Sequence, residues 1–305
     1  MRIIFYGTPE FAANSLNNIV QAGFEVVGVV TAPDKPAGRG QKLQSSAVKI
    51  AAIKLELPVS QPTNLKSDDF ARQLQDWNPD LGVVIAFRMM PEKVWNFPPL
   101  GTVNLHASLL PDYRGAAPIQ HAIINGETTT GVSTFFLKHE IDTGDIIDQV
   151  SLEITSDMNA GVLHNILMEK GAELMVTTLK KILKFGKDTP TIPQINKGIS
   201  SKIAPKITRE TCRLSLQMNS QDALNKIRGL SPYPGAWIES QWGDIKIFQA
   251  ELFESTDSME LGVGIYEKSL VIVFNEGALK VLTLQLSGKS KMNGVDFLNG
   301  FAKKS

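Results

Sequence analysis

Asn104 and His106 stand two residues apart in the apolar run GTVNLHA, residues 101–107. Such a run is a buried-strand candidate, and a spacing of two puts both side chains on one face of a sheet. Both lie near the end of the run, where open α/β sheets place their ligands. An amide can donate to a developing oxyanion. An imidazole can give or take a proton near neutral pH. The pair therefore suits acyl chemistry, although the same two side chains could simply satisfy loop backbone groups.

Two neighbouring segments add to this signal. SLLP and YRGAAP follow in residues 108–111 and 113–118 and form a turn-rich loop leading into a helix. Such a loop offers backbone N–H and C=O groups to a flat heterocycle. Further on, Asp142 and Asp145 flank Thr143-Gly144 in HEIDTGDII. A turn aspartate commonly bonds only its own backbone. Facing Asn104 and His106, it could instead orient the imidazole or take a proton through water. His121, His139 and His164 have no ligand-like spacing and read as structural or surface residues.

The elements that must position these residues follow from the hydrophobic pattern. Short apolar runs (RIIFYG, FEVVGVV, GVVIAF and GTVNLHA) alternate with helical stretches near 9–22, 45–56, 67–77 and 117–125. That alternation predicts a doubly wound, Rossmann-like, mostly parallel sheet. Strand-like 132–138 and 146–154 and a long helix over 160–184 complete the first domain, residues 1–185. Residues 186–205 are rich in Pro, Gly, Ser, Thr and Lys and read as a basic linker. Residues 206–305 hold one helix (220–229) and five short strand candidates at regular spacing. They fit a small OB-like β-barrel.

Length and composition set the outer bounds. The 305 residues suit two domains. A hydrophobic share of 43% with 20% charged residues excludes a disordered chain. The single cysteine, Cys212, excludes a disulfide framework and an all-cysteine metal site within one chain. MRIIFYGTPEF has neither the cationic region nor the cleavage site of a signal peptide, and no apolar run reaches membrane-spanning length. A cytoplasmic protein without membrane contact is expected. The first strand–turn–helix reads Gly7-Thr8-Pro9-Glu10, without the second and third glycines of a dinucleotide site. Glu10 would also repel phosphate.

Taken together, these segments resemble the methionyl-tRNA formyltransferase family over essentially the whole chain. FYGTPEFA, APDKPAGRGQKL, VNLHASLLPDYRGAAPIQHAIINGE, IDTGDII and LSPYPGAW carry the resemblance. It implies a transfer of the formyl group of 10-formyltetrahydrofolate to the α-amine of methionyl initiator tRNA. No metal and no covalent enzyme intermediate are implied. Asn104 and protonated His106 would stabilise the oxyanion, and Asp142 would hold the imidazolium and help move the amine's proton. The folate would lie against Ser108, Leu109, Leu110, Pro111 and the stretch Phe87, Arg88, Met89 and Met90. That stretch departs from the family pattern: AFRMMP stands where many relatives read AYGLILP.

The resemblance also gives the loop at 33–43 a role. Lys35, Arg39 and Lys42 would meet the tRNA acceptor end, with Arg39 at the tip. Lys202 and Lys206 would continue the contact along the linker. The formal net charge of zero conceals this track. Residues 170–213 hold ten basic side chains against three acidic ones, a plausible phosphate seam. A monomer is expected. The alternatives are a related folate-dependent formyltransferase acting on a small amine, such as phosphoribosyl glycinamide or a nucleotide-linked amino sugar, and a non-catalytic tRNA-binding module.

Overall fold

The computed structural model describes residues 1–37, 42–194, 202–256 and 258–300. Seven strands build one sheet: β1 (Arg2–Gly7), β2 (Glu25–Val30), β3 (Val59–Ser60), β4 (Leu81–Ile85), β5 (Thr102–His106), β6 (Thr129–Phe136) and β7 (Ile146–Glu153). Their order is β7-β6-β5-β4-β1-β2-β3. The β3-β2-β1-β4-β5 stretch is parallel, and β6 turns antiparallel against β5. The expected mostly parallel, Rossmann-like sheet is therefore present.

The local sequence explains why these segments take these forms. β1 and β4 lie in the middle of the sheet with both faces covered, so they are continuous apolar runs without alternation. Gly7 ends β1 because a Cβ there would meet the Ala12 Cβ at 2.6 Å. The first helix, Glu10–Gln21, can then start directly above the strand. Ser67 caps helix Asp68–Trp77 by accepting from the Phe70 amide, and Asp68 and Asp69 complement the positive end of its dipole. Asn78 ends it in the left-handed conformation that asparagine tolerates. The 33–43 loop carries a short hairpin, Lys35–Ala37 paired with Lys42–Gln44.

The chain divides into two compact units, and the division is not one cut along the sequence. The first comprises residues 1–114, 131–152 and 165–203, and the second 115–130, 153–164 and 204–305. The second unit contains a six-stranded antiparallel, barrel-like sheet. Its strands cover Ala236–Ser240, Gly243–Phe253, Gly262–Tyr266, Ser269–Val273, Ala278–Leu286 and Met292–Asn293. Helix Ser220–Gly229 and a terminal helix, Gly294–Gly300, accompany it. Ile238, Ile245, Leu279, Leu284 and Phe297 fill its core, with Trp242 edge-on against Phe297 at 5.2 Å. Among the described residues, no helix is long and apolar enough to cross a membrane.

Candidate active site

β5 delivers Asn104 and His106 to one sheet face, as the spacing of two requires. Register pairs Tyr6 with Val84, Val84 with Asn104, and Asn104 with Phe135, so these four share that face. His106 is buried, while Asn104 is half-buried. Among the described residues, no side chain or backbone group bonds the Asn104 amide.

Two contacts orient the His106 ring. Nε2 lies 2.8 Å from the Tyr113 carbonyl oxygen. A carbonyl only accepts, so Nε2 carries the hydrogen in this bond. Nδ1 therefore faces the Asp142 carboxylate, 3.8 Å away. That gap is wider than a hydrogen bond, and a slight closure or one water would bridge it. Asp142 is only 11% exposed at its side chain. Asp145 points elsewhere, its carboxylate 2.8 Å from the Lys138 ammonium. The two aspartates of the motif are thereby distinguished: one faces the histidine and the other anchors the hairpin.

The loops carrying this pair hold unusual backbone. Ala86, Tyr113 and Asp142 all have positive φ, at 47°, 60° and 54°. Non-glycine residues in that region are strained and persist where surrounding structure over-determines them. For Asp142 the surroundings include Gln194, whose Nε2 donates to the carbonyls of Asp142 at 3.0 Å and Gly144 at 2.7 Å. Gln194 Oε1 in turn accepts from Arg114 Nη2 at 2.6 Å and Nε at 3.1 Å. Gly144 is required where it stands, because a Cβ would fall 1.6 Å from the Phe136 carbonyl oxygen.

The other residues expected at the site sit in different surroundings. Ser108 is buried and donates to the Asp112 carbonyl, while its own carbonyl accepts from Ser133. Leu110 spends its N–H on Ser133 and its C=O on Gln149. The loop at 108–111 thus uses much of its backbone capacity on itself, and Leu109 and Pro111 stand half-buried beside it. Phe87 is half-buried, its ring 5.9 Å from that of Tyr6. Arg88 turns to the carbonyls of Pro62 and Thr63, which tie the 86–90 loop to the preceding segment. Met90 enters the core, whereas Met89 is 72% exposed. A polar cleft of about 840 Å³ lies against helix Asp68–Trp77, and neither His106 nor Asp142 lines it.

Of the basic residues, Lys35, Lys202 and Lys206 are exposed. Lys42 pairs in the short hairpin. Arg39 lies outside the described residues. Within the second unit, Lys206, Arg209 and Lys246 line a cleft of about 760 Å³ with Tyr233 and Trp237. The Arg209 and Arg213 guanidinium groups stand 5.1 and 5.5 Å from the Trp237 ring centre.

Sequence reasoning missed Tyr113, Gln194 and Tyr6. Tyr113 and Arg114 were visible inside the YRG segment, but a backbone carbonyl as the histidine's partner leaves no residue-type signal. Gln194 lay in a stretch read as linker. The Tyr6 hydroxyl is buried and without a hydrogen-bond partner among the described residues, and an apolar strand run gave no reason to single it out.

Comparison with known proteins bears directly on this arrangement. The Formyl transferase family matches residues 1–179, and its C-terminal domain family matches residues 206–302. A methionyl-tRNA formyltransferase of Bacteroides fragilis is 46% identical over 99% of this chain and 95% of its own length. One from Flavobacterium johnsoniae is 47% identical over 98% and 96%. The chain belongs to the methionyl-tRNA formyltransferase family. More distant structures share the fold. An N-formyltransferase from Helicobacter canadensis, in complex with folinic acid and dTDP-3-aminofucose, superposes with a TM-score of 0.68 at 21% identity. That match covers 95% of this chain and 99% of the other. HypX from Aquifex aeolicus in complex with tetrahydrofolic acid gives 0.63 at 19% identity. That match covers 99% of this chain and 48% of HypX, so the chain spans about half of HypX's length.

Proposed function

We propose that the chain transfers the formyl group of 10-formyltetrahydrofolate to the α-amine of methionine esterified to initiator tRNA, for translation initiation in the cytoplasm. The observation that carries this reading is the His106–Asp142 pair facing each other at 3.8 Å, on the sheet face that also presents Asn104. The near-complete match to curated relatives at 46% identity supports the substrate pair.

The residues present fit a folate donor. The Tyr6 hydroxyl is a buried donor without a partner among the described residues. Burial pushes its pKa up, so it stays protonated. Such an orphan is costly, and a heterocycle bearing acceptors would satisfy it. Tyr6 and Phe87 would hold the heterocycle, and the donor supplies the electrophilic carbonyl carbon.

The chain's own residues do the rest. The Asn104 amide donates to the oxygen that gains charge as the amine attacks. His106, oriented by Tyr113, presents Nδ1 between that oxygen and Asp142 and handles a proton there. Asp142 stabilises the imidazolium and takes up the amine's proton through a water that spans the gap. Lys35, Arg39, Lys42, Lys202 and Lys206 would meet phosphates of the tRNA. Collapse of the tetrahedral intermediate would then break the bond from the formyl carbon to N10, and a proton delivered to N10 would release tetrahydrofolate, with no covalent bond to the enzyme.

The test is to incubate the chain with methionyl initiator tRNA and the formyl donor and to measure formyl-methionine. No product alongside intact tRNA binding would make this a binding module. Product from a small amine, such as glycinamide ribotide, in place of methionyl-tRNA would move the substrate.

A further inference from the structure

The segment that leaves helix Ala160–Phe185 does more than join two parts of the chain. Ile192 forms an antiparallel bridge with Ile146, the two backbone bonds measuring 2.9 and 2.8 Å. Continued by two residues, the same register sets Gln194 opposite Gly144. There the Gln194 amide is saturated: both hydrogens go to backbone carbonyls, and its oxygen accepts twice from Arg114. The chemistry fixes the amide's orientation, since a guanidinium only donates and carbonyls only accept. One of the two carbonyls belongs to Asp142, whose φ of 54° needs external support. On the other side of the pair, the Tyr113 carbonyl orients His106. The Tyr113 amide donates to the Lys202 carbonyl. The two ends of the linker thus grip the two loops that present the catalytic pair.

We infer that Gln194 is a positioning residue for the formyl transfer. It acts through Asp142, holding the carboxylate toward His106 from within the same linker that the reading above assigns to tRNA. The inference rests on that reading. A linker drawn along a tRNA backbone would then bear directly on the geometry of the His106–Asp142 pair.

The experiment measures kcat and the donor KM for the full-length chain with methionyl initiator tRNA. Gln194→Ala should lower kcat by roughly 10- to 100-fold, the scale of misplacing a catalytic group by about an ångström. Donor KM should stay within about twofold, as the donor's own contacts are untouched. Gln194→Glu should be as slow as Gln194→Ala. It keeps the Arg114 pairing but sets an oxygen against two carbonyl oxygens. In an Asp142→Asn background, Gln194→Ala should cost nothing further, because its only route to the chemistry is gone. Thermal unfolding checks that each variant is folded, and Gln194→Glu is read alone if Gln194→Ala is not. Wild-type kcat in the single variants would overturn the inference. So would activity restored by Gln194→Glu, or an equal loss in the Asp142→Asn background. A wild-type chain that formylates no methionyl-tRNA fails the functional reading itself, which keeps the two failures apart.

Discussion

His106 Nδ1 and Asp142 Oδ2 face each other across 3.8 Å, with the opposite ring nitrogen held by the Tyr113 carbonyl at 2.8 Å. This sets the tautomer and aims the ring from both sides. Asp142→Asn keeps the shape of the side chain and removes the charge. It should lower kcat by roughly 10²–10³, the scale of losing a proton-handling group. Single-turnover formylation measures it, and an unimpaired rate would remove Asp142 from the mechanism.

Among the described residues, nothing bonds the side-chain amide that Asn104 presents. Asn104→Ala should also lower kcat by roughly 10²–10³, as loss of an oxyanion donor does. Thermal stability should change little, because among the described residues that side chain makes no hydrogen bond to lose. A stability loss without a rate loss would reassign Asn104 to structure.

Gly144 sits where a Cβ would overlap the Phe136 carbonyl oxygen at 1.6 Å. Backbone cannot move aside as a flexible side chain can. Gly144→Ala should therefore displace the hairpin that carries Asp142 and destabilise the protein by about 1–3 kcal/mol. Activity should fall with it. Calorimetry and formylation on one preparation test both, and wild-type values in both would contradict the geometry.

Asp34 stands at the root of the 33–43 loop, bonded by Lys49 and by Gln61 at 2.8 Å. These bonds, that of Lys49 foremost, hold its carboxyl below the usual carboxylate range. A depressed carboxylate contributes stability above its unfolded pKa and loses it as pH falls through the folded value. Asp34→Asn should thus melt below the wild type at pH 7, with the difference closing in acid. A difference that persists or grows below the usual carboxylate range would refute this.

Cys212 is buried, and burial pushes its thiol pKa up. The thiolate is the reactive form. At pH 8 an aromatic disulfide reagent should modify the native chain at least about tenfold more slowly than the denatured chain. Equal rates would show that Cys212 is accessible in solution.

The amino-acid sequence alone determined the class of the fold and two of the three catalytic candidates as a pair. Buried central strands must be continuous apolar runs, so β1, β4 and β5 could be read directly. A spacing of two on a strand fixes a shared face, so Asn104 and His106 needed no coordinates to be placed together. Helix Ser220–Gly229 was legible end to end, with Asn219 as its cap. What the sequence could not determine depends on backbone groups and on distance along the chain. Asp142 and Asp145 are the same residue type in one turn. Only the hairpin's path, held by Lys138 on one side and Gln194 on the other, turns one toward His106 and the other away. Tyr113 acts through a carbonyl that every residue possesses. Gln194 reaches Asp142 across fifty-two positions because an antiparallel bridge at Ile146 and Ile192 returns the chain to the site. Local pattern determines faces and periods, while tertiary packing alone decides which of several equivalent polar groups meet.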